Sequence, residues 1–228
     1  MPGTVTVGWT SIAGLQPAEL DALIQRLPAA EQARARGLRH DEQRARFVVG
    51  RALLRAVAVG PGALDAVELA PADMGIDIGL AGEPLGVGAL EGSFLSLAHS
   101  GDSVLAAVAD RHVGVDVQQL REGQLNAALA ARVCSPTELA YLDSVPEPER
   151  LRLFMTVWTR KEAYGKALGV GLDFALNSVT AAPDAVISGV RGSWRADDLA
   201  VGEGYAAAVV AEGLDWQANV EPVDRRQL

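Results

Sequence analysis

One order of elements occurs twice in this chain, and it constrains the fold more than any other feature. Residues 41–59 read as a long helix with Phe47, Leu54 and Val57 on its apolar stripe, stopped by Gly60-Pro61-Gly62. Residues 94–98 and 104–109 then read as strands flanking His99-Ser100-Gly101-Asp102, a hairpin or tight connection. In the second half a helix over about residues 149–168 is stopped by Gly169-Val170-Gly171. Residues 204–211 repeat the alanine-valine character of 104–109. Helix, glycine-rich stop and strand in each half predict an α+β chain of two similar subdomains joined near residues 110–113. The expected divisions are 1–112, 113–215 and a polar tail over 216–228.

Further elements fill in between. Residues 17–27 predict a first helix, with Pro17 at an early position and Leu20, Leu23, Ile24 and Leu27 at helical spacing. Residues 71–92 are rich in glycine and proline and predict loops with short strands. A strand over 113–117 and a helix over about 124–132 follow. Ser135-Pro136-Thr137-Glu138 then carries a capping-box signature: serine at the N-cap, proline next, glutamate at the third helical position.

Composition excludes several functions. The chain has 49% apolar and 21% charged residues, which fits a globular protein able to bury a core. Its net charge of −9 argues against a general nucleic-acid surface. The longest apolar runs, 104–109 and 206–211, are too short to span a membrane, and Met1-Pro2-Gly3-Thr4 lacks the regions of a signal peptide. A single cysteine, Cys134, allows no internal disulfide and makes a reducing, cytoplasmic setting the expectation. His40, His99 and His112 leave little material for a structural zinc site. One segment runs against the overall acidity: seven arginines (34, 36, 39, 44, 46, 51, 55) face only Glu31, Asp41 and Glu42. That is either a local anion site or a solvated helix face.

The chemistry-bearing residues lie in two places. The only lysines, Lys161 and Lys166, fall in Trp158-Thr159-Arg160-Lys161-Glu162-Ala163-Tyr164-Gly165-Lys166. A chain that otherwise uses arginine keeps the compact ammonium here, and the two cations are not interchangeable at a phosphate. Trp158, Glu162 and Lys166 share one helical face, which by itself fits a surface Glu–Lys pair beside a core tryptophan. The second place is Val113-Gly114-Val115-Asp116-Val117-Gln118. Alternation puts the valines on one face and Gly114, Asp116 and Gln118 on the other. An aspartate within an apolar strand needs a partner: an arginine, a turn or a bound cation. Gly114 leaves room for a close approach beside it. A strand aspartate and a helix glutamate together suit Mg²⁺, with lysine as a point charge for phosphate, and phosphoryl-type transfer is the chemistry such a set favours. No Walker loop, kinase signature or Gly-x-Ser-x-Gly elbow is present.

In these motifs the chain resembles the 4′-phosphopantetheinyl transferase superfamily, in its two-subdomain, surfactin-type branch. The resemblance rests on five motifs in order: the arginine-rich helix over 44–55, His99-Ser100, the Gly-Val-Asp strand at 114–116, Ser135–Glu138, and the Trp-x-x-Lys-Glu-Ala-x-x-Lys helix over 158–166 ending at Gly-x-Gly. It implies two subdomains in a pseudo-twofold arrangement with the active site in the cleft between them. It implies an enzyme that moves 4′-phosphopantetheine from coenzyme A to a serine of an apo acyl or peptidyl carrier protein, with Mg²⁺, as a monomer and without nucleic acid or membrane. Carried onto matching positions, Asp116 and Glu162 would hold the metal together with Gln118. Glu162 would also be the general base, Lys161 and Lys166 would meet phosphates, His99 would bind phosphate, and Arg44, Arg46 and Arg51 would face the adenosine 3′-phosphate. An acidic carrier would dock on a local patch of Arg121 and Arg132 with the apolar face over 125–129.

Two departures from the family pattern accompany the match. Gln118 stands where a second acid is common, and Glu83 stands where a lysine is common in Gly-Lys-Pro. They motivate a second reading, a relative that binds coenzyme A or a carrier without efficient transfer.

Overall fold

A computed structural model describes residues 3–59, 74–78, 84–88, 91–170 and 175–228. The sequence-predicted stops at Gly60-Pro61-Gly62 and Gly171, and the departure at Glu83, lie outside the described residues. The chain runs β1 (Gly3–Ser11), α1 (Pro17–Arg26), α2 (Ala29–Gly37), α3 (Asp41–Val59), β2 (Met74–Ile78), β3 (Pro84–Gly88), β4 (Phe94–Ser100), β5 (Ser103–Ala109) and β6 (Val113–Gln119). It continues with α4 (Ala127–Val133), α5 (Pro136–Ser144), α6 (Glu147–Ala167), β7 (Trp194–Asp198), β8 (Tyr205–Glu212) and β9 (Trp216–Pro222). The class is α+β.

Two sheets are built, one in the order β2-β3-β4-β5-β1-β9 and one in the order β6-β8-β7. Period-two alternation assigns their faces. On β5, Leu105, Ala107 and Ala109 enter one apolar cluster while Val104, Ala106 and Val108 enter another. The first set meets Val5 and Val7 of β1, Val113, Val115 and Val117 of β6, and Ala207, Val209 and Ala211 of β8. The sheets therefore pack against each other through small aliphatic side chains. Helix α3 covers the outer face of the first sheet with Val49, Leu53 and Leu54, and α6 covers the outer face of the second with Ala163, Tyr164 and Ala167. Because both faces of β5 and β8 are covered, their runs read as nearly continuous apolar stretches, whereas β6 alternates valine with Gly114, Asp116 and Gln118.

A glycine lies under each helix crossing. A Cβ on Gly50 of α3 would lie 2.8 Å from Leu97 Cδ2 on β4. A Cβ on Gly114 of β6 would lie 1.9 Å from the Ala163 carbonyl oxygen and 2.7 Å from the Ala167 nitrogen of α6. What approaches closely at Gly114 is thus the helix itself, backbone against backbone.

Several expectations change. His99 and Ser100 belong to β4, paired with Val104 and Ser103, and the hairpin turn is only Gly101-Asp102, with Gly101 at φ 54°. The helix expected over 124–132 begins at Ala127, because the Asn126 side chain accepts from the Leu129 N–H and fixes the N-cap there. Residues 216–222, expected within a polar tail, form β9 parallel to β1. Trp216 is buried in the core shared by the two sheets, and Leu228 is buried against the α1–α3 cluster. The alternation of exposed polar residues on β9 is that of an edge strand, so polarity here marks an edge and no loose end. Among the described residues no helix is long and apolar enough to cross a membrane.

Candidate active site

The site is built where α6 crosses β6. Gly114 lets the helix backbone touch the strand, and two residues further along β6 the Asp116 side chain, 7% exposed, points to the helix side. Lys166, about one and a half turns beyond Lys161 on α6, extends across that contact. Its Nζ donates to Asp116 Oδ1 at 2.8 Å and to the Val115 carbonyl at 3.1 Å. Gln118 Nε2 donates to Asp116 Oδ2 at 3.1 Å. The buried carboxylate thus has a cation on one oxygen and an amide on the other, which offsets the cost of taking it out of water.

Glu162 stands one turn before Lys166. The i, i+4 Glu–Lys surface pair expected from the sequence gives way to a different pairing. Lys166 turns to Asp116, and Glu162 Oε1 accepts from Trp158 Nε1 at 3.3 Å. Trp158 is consequently a partner of the site as well as an edge-on neighbour of Phe154. Burial first, and then the charge of Asp116, raise the Glu162 pKa above the ordinary glutamate value, while the Trp158 hydrogen bond and the Lys166 and Arg132 cations pull it back. The structure therefore brings two carboxylates close enough to repel.

The first sheet contributes the opposite wall. Ser96 Oγ accepts from the Val115 N–H and Ser100 Oγ from the Gln119 N–H, each at 3.0 Å, so two hydroxyls four residues apart on β4 dock β6. Between them lies His99. Desolvation, the Arg46 cation and the Lys166 cation lower its pKa, in that order, against a raising pull from Asp116. The residue keeps an exposed surface, so water offsets part of the desolvation, but both cations act in the same direction and the lowering stands. Arg46 reaches over from α3 and donates to the Gly101 carbonyl at 2.8 and 3.1 Å while pairing with Glu42. The turn is held from the other side too, since Asp102 N–H donates to the Tyr205 hydroxyl at 3.2 Å. His99, Arg46, Asp116, Gln118, Glu162 and Lys166 form one assembly lined by α3, β4, β6 and α6.

Three sequence-predicted residues lie elsewhere. Lys161 is fully buried, paired with Glu138 and donating to the Val133 carbonyl at 2.8 Å. Burial lowers its pKa and Glu138 opposes that shift. Its ammonium is a structural counterion with no surface for a phosphate. Glu138 forms the expected capping box with Ser135, but its carboxylate also accepts from Ala181 N–H at 2.7 Å, so one side chain ties α5, α6 and the segment before β7 together. Arg44 donates to Asp41 and to the carbonyls of Ala35 and Leu38, closing the α2–α3 turn. Arg51 is buried beside Glu31 at 3.7 Å, and Arg55 bonds the same carboxylate at 2.9 Å. The arginine stripe of α3 therefore faces α2. It is neither a solvated surface nor, at Arg44 and Arg51, part of the site.

Sequence reasoning passed over Ser96 and the second role of Trp158. The period-two placement of Ser96 with Ser100, on the face of β4 opposite to His99, was the available signal for the first; nothing in the local pattern signals the second. Of the docking patch, Arg132 is exposed and its charge reaches Glu162, Leu125 and Leu129 pack partly into the apolar cluster beneath, and Arg121 is engaged with Gln119 at 2.8 Å.

A family model described as the 4′-phosphopantetheinyl transferase superfamily matches residues 112–210, the span holding Asp116, Glu138, Glu162 and Lys166. The 4′-phosphopantetheinyl transferase HetI of Nostoc sp. is 31% identical over 206 residues, covering 87% of this chain and 84% of that protein. A 4′-phosphopantetheinyl transferase of Bacillus subtilis is 27% identical over 164 residues, 72% of this chain and 70% of that protein. The 4′-phosphopantetheinyl transferase psf-1 of Bacillus pumilus is 37% identical over 86 residues, 38% of this chain and 36% of that protein.

Proposed function

The chain belongs to the 4′-phosphopantetheinyl transferase superfamily, and from that membership we propose that it transfers the 4′-phosphopantetheine group of coenzyme A to a serine of an apo acyl or peptidyl carrier protein. The observation that carries the reading is the assembly at the α6–β6 crossing: two carboxylates, an amide and a lysine converge beside a histidine of β4 and an arginine of α3. No serine–base pair is needed within the chain, because the nucleophile belongs to the partner.

The donor set fits Mg²⁺, which takes one or two carboxylates and completes its shell with water and substrate phosphate. Asp116 and Glu162 would hold the ion, with the Gln118 carbonyl oxygen as a neutral third donor. When bound, the ion supplies charge neutralisation at a diphosphate. The chain's own residues do the rest. Glu162, whose proton affinity is raised by burial, accepts the proton of the carrier serine directly or through water. The serine oxygen forms a bond to the β-phosphorus of coenzyme A as the bond to the other phosphate breaks, and adenosine 3′,5′-bisphosphate leaves. Lys166 neutralises the charge that accumulates on the phosphates. His99 and Arg46 bind phosphate oxygens from the first-sheet side. Arg132 and the apolar surface around Leu125 and Leu129 receive the acidic carrier, so that its serine arrives next to Glu162. We assign residues 1–112, together with the C-terminal strand β9 that pairs with β1, and residues 113–215 to two cleft-forming subdomains, in a monomeric, cytoplasmic enzyme.

The test is direct. The protein is incubated with Mg²⁺, coenzyme A and a panel of apo carriers from fatty-acid, polyketide and peptide assembly, and carrier mass is followed by mass spectrometry. A phosphopantetheine adduct on at least one carrier is the expected result. Coenzyme A binding without any adduct would leave the binding-only reading in its place.

A further inference from the structure

The carboxylates that this chain offers to a divalent cation are already balanced by its own groups. Asp116 has Lys166 on one oxygen at 2.8 Å and the Gln118 amide on the other at 3.1 Å. Glu162, the only other carboxylate in the assembly among the described residues, has Trp158 on one oxygen and lies within the fields of Lys166 and Arg132. Arg46 adds a cation on the His99 side. The third donor, Gln118, brings no charge. Among the described residues no group of three or more His, Cys, Asp or Glu side chains could hold a metal ion.

For a bare divalent ion this is a poor destination. Entry requires separating Lys166 from Asp116 and shedding water, and Mg²⁺ dehydrates reluctantly when few carboxylates compensate it. A diphosphate changes both costs. It brings the missing negative charge with the ion, and it offers Lys166 a new anionic partner when the ammonium leaves Asp116.

We infer that this site takes its divalent cation together with an anionic diphosphate and holds the free ion poorly, with Gln118 and Lys166 as the positioning residues that set this dependence. The inference rests on the reading of the assembly as a metal and coenzyme A site. It concerns how that site is loaded, not whether transfer follows. Gln118→Glu adds the charge whose lack creates the dependence. Lys166→Met removes the internal competitor. Each variant is expected to weaken the coupling from a different side.

The experiment measures Mn²⁺ retained by the full chain in equilibrium dialysis, alone, with coenzyme A, and with inorganic pyrophosphate; coenzyme A binding is followed separately by calorimetry. Wild type is expected to hold Mn²⁺ at least about tenfold more tightly with coenzyme A than alone. Q118E and K166M are each expected to hold Mn²⁺ alone about tenfold more tightly than wild type. Wild type holding the free ion as tightly as both variants would overturn the inference, whatever the transfer assay gives. Bound coenzyme A that leaves Mn²⁺ affinity unchanged would overturn it as well. If coenzyme A does not bind, the transferase reading fails and the pyrophosphate arm decides: increased retention supports the inference and unchanged retention sinks it. Lys166 is about one-third exposed, so K166M keeps the test alive should Q118E fail to fold.

Discussion

Helix α3 crosses the first sheet and α6 crosses the second, and each crossing has glycine at it, but what the glycine meets differs. In the first crossing Gly50 of the helix and Gly8 of β1 both meet the ends of aliphatic side chains; in the second the glycine is on the strand and meets helix backbone. The first leaves a side chain's thickness between layers. The second removes it. Only the second crossing lets a helix side chain reach around the strand to its aspartate, so the Lys166–Asp116 contact is a consequence of Gly114. The charges of α3, held farther from its sheet, are mostly spent on α2.

The sharpest way to break this comparison is to add one methyl group to each glycine. Gly114→Ala places carbon 1.9 Å from a backbone carbonyl that cannot rotate away, so α6 must move bodily. We expect a loss of about 4 kcal/mol or more in urea denaturation, with the Asp116 site dismantled. Gly50→Ala meets a flexible leucine terminus at 2.8 Å, and alanine gains about 1 kcal/mol of helix propensity over glycine. Its net change should stay within about 1–2 kcal/mol. Equal effects at the two positions would show that the crossings are alike.

The two lysines of α6 extend the comparison within one helix. Lys161→Met leaves the Glu138 carboxylate buried without its cation and should cost about 3–5 kcal/mol. Adding Glu138→Gln should recover part of that cost by removing the unpaired charge, but only part, because Ser135 and Ala181 N–H bond to different carboxylate oxygens and the amide keeps a single acceptor oxygen. Lys166→Met leaves the buried Asp116 carboxylate with the Gln118 amide and whatever water the one-third-exposed lysine position admits, so it should cost less, about 1–2 kcal/mol, and should reduce transfer at least about a hundredfold. A large stability loss at Lys166, or a large activity loss at Lys161 without one, would reverse the roles assigned to them.

The sequence made these contrasts legible to different depths. Local signals were faithful where a side chain decides the backbone nearby: α3 runs over Asp41–Val59 as its stripe predicted, and Ser135 and Glu138 form their capping box. Alternation on β6 correctly sorted three valines from Gly114 and Asp116. What failed was assigning a partner. A motif shows that Lys161 and Lys166 share a helix, but their partners, Glu138 and Asp116, are 23 and 50 residues away, and only the tertiary path decides which ammonium is buried. The arginines of α3 failed for the same reason, because Glu31 on α2, an element not expected from periodicity, takes Arg51 and Arg55. Strands β1 and β9 were missed because each owes its position to long-range pairing, β1 between β5 and β9 and β9 beside β1.

The smallest effect is expected at Glu162, and its sign is the informative part. Burial and the neighbouring Asp116 raise its pKa in the folded chain, so the folded state binds this proton more tightly than the unfolded state does. The group's contribution to stability is therefore fully present below the ordinary glutamate pKa and is lost as pH rises through the raised one. At neutral pH the charged carboxylate is a net cost that glutamine avoids while still accepting from Trp158. Glu162→Gln should thus be as stable as wild type at about pH 4 and slightly more stable at pH 7, by less than about 1 kcal/mol, with transfer lost at both. Thermal melts of both proteins across that range measure it. A variant less stable at pH 7 than at pH 4, relative to wild type, would mean that the fold favours the charged carboxylate, and Glu162 could then not be a base strengthened by its surroundings.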